Sequence, residues 1–240
     1  MTTSRYEFLR FEVIDHVAHM TFDSPSTGNR YRPENEWELF DALDRIQTDD
    51  EIHVAVVTGA GDEFGGGAKR DNDPFVASSY YERSLKLFEA WSRVDTPIVV
   101  ALNSKAMLTL PLLSDIVITE RHVDFNDVHV LLGVPTATGS FLWPMSTGLA
   151  RAKRYLLTGD VFSAEEAERI GLVAEVVDTG ASTARAVELA ERIAALEPTG
   201  VKMTKRALNE WVRVSWGPIF KHALGLEFIH FPSRMPTNQS

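Results

Sequence analysis

The sequence contains no cysteine, which excludes disulfide bonds, a thiol nucleophile and cysteine-ligated metal. No apolar run reaches the roughly 18 residues that a membrane-spanning helix needs. Basic residues are outnumbered, 24 Lys and Arg against 34 Asp and Glu, and the formal net charge of −10 argues against broad binding to nucleic acid or anionic membrane. The amino terminus lacks the basic-then-apolar pattern of a signal peptide, so we expect a cytoplasmic protein.

Patterns for metal and dinucleotide binding are also incomplete. No two of the seven histidines have the His-x-His or His-x-x-x-His spacing of a metal site. Gly59 and Gly61 follow a predicted strand, but the third spaced glycine and the helix that open a dinucleotide-binding turn are missing. The sequence therefore predicts neither a metal nor a cofactor.

The composition, with 44% hydrophobic and 24% charged residues, is that of a folded chain with a substantial core. Apolar runs and helical spacings alternate along it, which favours an α/β fold with right-handed crossovers. Predicted strands cover 6–13, 17–22, 54–58, 98–102 and 116–118, and predicted helices cover 33–47, 80–91, 163–171, 183–196 and 201–212. We divide the chain into an α/β core, residues 1–180, and a C-terminal helical region, residues 181–240.

A run of three glycines, Gly65 to Gly67, follows the third predicted strand. Consecutive glycines let backbone N–H groups point into a pocket with no Cβ in the way. Two such amides aimed at one carbonyl oxygen form an oxyanion hole, in which the loss of one donor costs roughly 10²–10³ in rate. The alternative interpretation is a flexible loop tip.

His129 is the histidine with the most distinctive surroundings, because Val128 and Val130 flank it. An apolar flank implies partial burial, and a buried polar ring needs a hydrogen-bond partner. Histidine is also the side chain best suited to accept a proton near neutral pH. His129 is therefore a candidate general base, the alternative being a histidine buried for structural reasons.

Several motifs in order resemble the crotonase superfamily of enoyl-CoA hydratases and isomerases. They are Val56–Gly61, Phe64–Ala68, Asp95–Asn103, Tyr155–Gly159 and Ser163–Gly171. The resemblance implies a crotonase fold of stacked ββα turns in a spiral core, with a C-terminal helical trimerisation region and assembly as a homotrimer or a dimer of trimers. It also implies a small-molecule carbonyl substrate whose enolate is held by two backbone amides.

The two oxyanion amides and the two hydratase glutamates can be placed by the same resemblance. The first amide falls on Gly66, and the second falls near Met107 or Leu108, where the usual three glycines are replaced. The glutamates fall on Thr109 and His129, neither of which is acidic. Because hydration of a double bond uses paired acid and base carboxylates, ordinary enoyl-CoA hydration is not predicted.

A narrower resemblance links His129, the turn at Pro135 and Leu142–Pro144 to the 6-oxocamphor hydrolase branch, a group of β-diketone hydrolases. It implies that His129 activates a water for retro-Claisen cleavage of a C–C bond in a cyclic 1,3-diketone. The further residues that it assigns are Glu227 and Asp127 in catalysis, and Tyr31, Gly67, Met107, Leu108 and Trp143 in substrate binding.

The acidic partner of the histidine in that branch falls on Ala137, so another group must orient His129. The candidates are Asp127, Asp73, Glu227, Thr136 and Thr138. Two other functions stay open. One is an atypical CoA-thioester enzyme, with Lys69 and Arg70 near the CoA phosphates, and the other is a catalytically degenerate scaffold protein.

Overall fold

The computed structural model of the protein describes residues 6–32, 34–65 and 74–230. Its centre is a six-stranded sheet in the order β1-β2-β3-β4-β5-β6, antiparallel between β1 and β2 and parallel elsewhere. The strands are β1 Leu9–Ile14, β2 Val17–Phe22, β3 Val54–Gly59, β4 Ile98–Leu102, β5 Ile116–Glu120 and β6 Glu175–Val177. The predicted α/β class is confirmed.

Helices connect and cover these strands. They are α1 Glu36–Thr48, α2 Pro74–Arg93, α3 Thr109–Leu113, α4 Gly139–Thr147, α5 Leu149–Thr158, α6 Ala164–Arg169, α7 Ser182–Ala194, α8 Pro198–Leu208, α9 Glu210–Ser215 and α10 Lys221–His230. A π-helical turn, Trp216–Phe220, joins α9 to α10. No helix in the described ranges is both long and apolar enough to cross a membrane.

The predicted hairpin at the start of the chain is present, with Ile14 opposite Val17. Its two-residue loop, Asp15 and His16, has φ of 46° and 68°. Two central residues with positive φ match the right-handed twist of the flanking strands, which is why tight hairpins favour such turns. The hairpin places β2 beside β3, where the parallel part of the sheet begins.

The middle strands are buried on both faces of the sheet. One face, including Val56, Ala101 and Ile118, packs on Ala186 and Ala190 of α7. The opposite face joins the main core, which includes apolar residues of α1, α2, α4 and α10. Burial on both faces explains why β3 and β4 are continuous apolar runs in the sequence and do not alternate.

The largest differences from the predicted helices are at two places. Helix α2 begins at Pro74 and not near Tyr80, and proline suits the first turn of a helix because its missing N–H has no partner there. The single helix predicted over 201–212 is two helices that meet at Asn209, whose Nδ2 donates to the Ser92 carbonyl at 3.1 Å. The division of the chain at residue 180 and the trimerisation role of the C-terminal region remain predictions.

A buried ion pair links α8 to the segments that precede β4 and β5. Lys205 Nζ lies 2.7 Å from Asp115 Oδ2 and donates to the Thr96 carbonyl at 2.9 Å, and only 6% of its side chain is exposed. Burial lowers the pKa of Lys205, an effect that the Asp115 charge opposes. We expect Lys205→Ala to lower the free energy of unfolding by about 3 kcal/mol, because it leaves Asp115 without its cation.

Chemical denaturation of the Lys205→Ala variant measures this loss. Lys153→Ala, at an exposed position of α5, is the matched control and is expected to change stability by less than about 0.5 kcal/mol. Equal stability of the two variants would contradict a stabilising role for the pair.

Candidate active site

A cavity of about 510 Å³ lies beside the carboxyl ends of β3 and β4, the usual side for ligands in parallel sheets. We call it the central cavity. Its apolar lining consists of Ala106, Met107, Leu108, Leu112, Val128, Leu142 and Trp143. Its polar and charged lining consists of Arg30, Asp62, Glu63, Ser104, Lys105, Thr109, Asn126, Asp127, His129 and Thr138. The cavity therefore combines an apolar wall with polar and charged groups that can orient a ligand.

Asp127 is the group that orients His129. Its Oδ1 lies 2.7 Å from His129 Nδ1 and accepts the His129 backbone N–H at 2.9 Å. The two residues lie in an irregular segment, and a carboxylate that bonds the backbone two positions on forms a tight local turn. Of the five candidates raised by the sequence, Asp127 is the one that the described structure places against the ring.

The second oxygen of Asp127 is held from the other side. Thr136 Oγ1 donates to Asp127 Oδ2 at 2.8 Å, and the Gly139 backbone N–H at the start of α4 donates to Thr136 Oγ1 at 3.2 Å. A chain of hydrogen bonds thus runs from α4 through Thr136 and Asp127 to the His129 ring. The backbone N–H groups of Gly139 and His129 hold this series of hydrogen bonds at its two ends, so the fold sets the orientation of the ring.

Asp127 is ionised at neutral pH. Burial alone would raise the pKa of its carboxyl, but the hydrogen bonds and charge of His129, together with the Thr136 hydroxyl, lower the pKa below its ordinary value. An ionised acceptor holds a proton on Nδ1 of His129, which places the basic lone pair of the ring on Nε2. This is the arrangement of a general base and its orienting carboxylate.

Gly139 leaves just enough room for this arrangement. A Cβ at position 139 would lie 2.5 Å from Thr136 Oγ1 and 2.8 Å from Asp127 Oδ2. We therefore expect Gly139→Ala to displace the carboxylate, to lower activity about tenfold or more, and to destabilise the fold by about 1–2 kcal/mol. Steady-state kinetics and denaturation of the variant test this expectation.

Gly225→Ala is the matched control for that substitution, because nothing lies within 4 Å of a Cβ built at this position in α10. Alanine is the better helix former, so the control is expected to gain about 0.5–1 kcal/mol in stability and to keep its activity. A Gly139→Ala variant as active as the Gly225→Ala control would contradict the tight fit around Asp127.

A pair of hydroxyl groups lies near the dyad. Thr109 Oγ1 and Thr138 Oγ1 are 3.1 Å apart, and both residues line the central cavity. Thr109 is one of the two positions where the family resemblance places a glutamate in hydratases, and Ala137 is 2% exposed and carries no polar group. The polar groups here are thus neutral hydroxyls and not carboxylates.

The remaining predicted site residues fall in three places. Met107, Leu108 and Trp143 line the central cavity, whereas Tyr31 and Glu227 are buried outside its lining. The Tyr31 hydroxyl lies 3.4 Å from Ser84 Oγ. Gly66 and Gly67, with Lys69, Arg70 and Asp73, lie outside the described residues. The functional roles of all these residues remain predictions.

Gly65 is the described member of the glycine run, and it lines the cavity. Its φ is 75°, and a Cβ at this position would lie 2.0 Å from the Asn29 carbonyl oxygen. Both facts require glycine at position 65, because the backbone conformation is left-handed and the neighbouring loop is in contact. Sequence reasoning did not single out Arg30, Lys105 or Asn126, which carry no motif that marks them as cavity residues.

The family model described as enoyl-CoA hydratase/isomerase matches residues 12–218. The chain belongs to this family. An (E)-benzylidenesuccinyl-CoA hydratase of Thauera aromatica is 33% identical over 227 residues, covering 89% of this chain and 87% of that protein. A 1,2-epoxyphenylacetyl-CoA isomerase of Escherichia coli K12 is 30% identical over 215 residues, covering 85% of this chain and 82% of that protein.

Solved structures of this family have the same fold. The crystal structure of an enoyl-CoA hydratase/isomerase from Mycobacterium paratuberculosis superimposes with a TM-score of 0.83 at 27% identity, covering 95% of each chain. That of a probable enoyl-CoA hydratase from Mycobacterium thermoresistibile also gives a TM-score of 0.83, at 25% identity, covering 94% of this chain and 97% of that one. The protein is thus a crotonase-superfamily enzyme by sequence and by fold.

Proposed function

We propose that the protein acts on an acyl-CoA thioester, with His129 transferring the proton and Asp127 orienting it. The observation that carries this proposal is the 2.7 Å contact between His129 Nδ1 and Asp127 Oδ1 on the wall of the central cavity. A histidine held by an ionised carboxylate is a competent acid and base near neutral pH.

Two observations support a thioester as the substrate. The relatives at 30% identity or more include enzymes named as a CoA hydratase and a CoA isomerase. Arg30 and Lys105 are exposed residues of the cavity lining, where a cation can meet a phosphate of CoA. Asp62 and Glu63 are exposed there as well, so the rim carries charges of both signs.

The chemistry of the site follows from its single histidine. His129 Nε2 removes a proton from the carbon next to the thioester carbonyl, or from a water, and the imidazolium formed is stabilised by Asp127. Backbone amides at Gly66 and at Met107 or Leu108, assigned by family resemblance, would hold the enolate oxygen. In an isomerisation His129 then returns its proton to another carbon of the acyl chain, and in a hydrolysis it gives the proton to the departing CoA thiolate.

Thr109 bears on the type of reaction. Hydration uses one group to activate water and another to protonate carbon, whereas a threonine hydroxyl does neither near neutral pH. A single acid–base group such as His129, which takes up a proton and then releases it, is sufficient for an isomerisation or a hydrolysis. We therefore place isomerase and thioester-hydrolase activities ahead of hydration for this chain.

The proposal is tested with a set of acyl-CoA substrates of different chain length and double-bond position. Turnover is followed by NMR, which detects isomerised, hydrated and hydrolysed products in one spectrum. Turnover of at least one thioester, with an isomerised or hydrolysed product, is the expected result. Absence of both binding and turnover with every thioester contradicts the proposal.

Cleavage of a cyclic 1,3-diketone is the second candidate function. The His129–Asp127 pair favours it, because a carboxylate-oriented histidine suits the activation of water for attack on a carbonyl. Incubation with free bicyclic and monocyclic 1,3-diketones distinguishes the two functions, since a diketone hydrolase releases a keto acid without CoA. A protein that neither binds nor converts either class would instead be a scaffold.

A further inference from the structure

The Thr109–Thr138 hydroxyl pair offers a hydrogen-bond donor that no other described residue uses. Each hydroxyl carries one hydrogen and two lone pairs, and the 3.1 Å contact between them uses one hydrogen. The second hydrogen has no acceptor among the described residues, although Thr109 is only 8% exposed. A donor in this position, on the wall of a cavity, is available to a ligand.

Asn126 adds an unused acceptor to the same cavity lining. Its Oδ1 is buried and has no hydrogen-bond partner among the described residues. Buried polar atoms without partners are rare in folded proteins and occur where a ligand completes the bonding. Asn126 and the threonine pair thus add unused hydrogen-bonding groups to a cavity that apolar side chains such as Leu112 and Leu142 also line.

We infer that Thr109 and Thr138 form a subsite for a second oxygen function on the acyl chain, a hydroxyl or a ketone, beyond the thioester carbonyl. This inference rests on the proposed action on acyl-CoA thioesters and names the acyl class. A plain hydrocarbon chain would displace water from the unused donor and acceptor and offer them no hydrogen bond in return, which lowers its affinity. An oxygen-bearing chain accepts the Thr hydroxyl hydrogen, and a hydroxyl can also donate.

The subsite differs from a carboxylate in one functional respect. A pair of threonine hydroxyls does not ionise near neutral pH, so its preference for an oxygen-bearing chain does not change with pH in that range. Any pH dependence of turnover then arises from other groups, foremost the His129–Asp127 dyad.

Calorimetric binding of three probes with the same number of carbons tests the inference, namely butyryl-CoA, 3-hydroxybutyryl-CoA and acetoacetyl-CoA. The full chain with His129→Gln is used, so that the probes are not consumed. We expect the two oxygenated probes to bind about tenfold more tightly than butyryl-CoA, the effect of one hydrogen bond to a buried group.

Substitution of both threonines assigns that preference to the subsite. The double variant Thr109→Val, Thr138→Val removes both hydroxyls with little change of shape and is expected to abolish the tenfold preference, whereas Thr109→Ser keeps both hydroxyls and is expected to retain it. Thr158→Val is the matched control, because the Thr158 hydroxyl bonds the Arg154 carbonyl away from the cavity. Its preference is expected to equal that of the parent.

The outcomes separate the subsite from the function on which it rests. Binding of all three probes with equal affinity overturns the subsite and leaves thioester binding intact. A tenfold preference that survives loss of both hydroxyls, in the Thr109→Val, Thr138→Val double variant, also overturns it, because the preference then arises elsewhere. Failure of every probe to bind overturns the thioester function and the subsite with it.

Discussion

Replacing His129 with alanine is expected to lower kcat/KM about 10³-fold on whichever carbonyl substrate the protein turns over. The expectation follows from the range of roughly 10²–10⁴ that a positioned general acid or base contributes. His129 is the histidine of the cavity lining, and its ring is held at 2.7 Å by Asp127. Binding should change less than turnover, so the loss should appear mainly in kcat.

The matched control for that variant is His122→Ala. His122 is half-exposed and does not line the central cavity, and its Nδ1 lies 3.2 Å from Thr179 Oγ1. Circular dichroism and melting temperature should show that both variants are folded. A His129→Ala enzyme within threefold of the control would refute the role of His129 in proton transfer.

Asp127→Asn is expected to lower kcat about 10²-fold or more while leaving the shape of the site unchanged. The amide occupies the same space as the carboxylate, but it no longer compensates the positive charge that His129 acquires when it takes a proton. The amide oxygen can still accept the His129 backbone N–H, and the amide nitrogen can donate to Thr136 Oγ1, so the variant should fold.

The pH dependence of kcat/KM tests the role of the Asp127 carboxylate independently. The pKa of Asp127 is lower in the folded protein than its ordinary value, so its support for His129 is present above the ordinary pKa and is lost only as pH falls through the lowered one. The carboxylate is thus charged throughout the range in which His129 acts, and because its charge stabilises the imidazolium, the acid limb of kcat/KM should move to lower pH in the Asp127→Asn variant.

Thr136→Val is a milder test of the same hydrogen-bond network, because it removes one hydrogen bond to Asp127 and keeps the carboxylate charge.

An Asp127→Asn variant that retains full kcat and an unchanged pH profile would show that Asp127 has only a structural role.

Five of the six strands were predictable from their hydrophobic patterns, whereas the three-residue β6, Glu175–Val177, was not predicted. Continuous apolar runs gave the strand at residues 98–102 without error, since both faces of the sheet are buried there. Helix ends were less predictable. The helix expected over 201–212 breaks at Asn209, where a side-chain bond to Ser92 outweighs an unbroken amphipathic pattern.

Of the candidate site, His129 could be singled out from the sequence, because a side chain suited to proton transfer there has apolar neighbours in sequence. The apolar flank of His129 marked it as a base, and Asp127 was one of several possible partners. Only the structure identifies Asp127, because the segment is neither strand nor helix and its turn depends on that carboxylate. Arg30 and Asn126 reach the cavity from loops, and loop geometry is not readable from residue spacing.

Exchange of α-protons with solvent deuterium tests the central claim most directly, namely that His129 and Asp127 transfer a proton on an acyl-CoA thioester. Wild-type protein is incubated in D₂O with the thioester that binds best, and the α-proton signal is followed by NMR. We predict exchange with the wild-type protein and loss of it, by about 10³-fold, in the His129→Gln variant. An equal exchange rate in the variant, or a wild-type protein that neither exchanges the α-protons nor hydrolyses the thioester, would contradict the account.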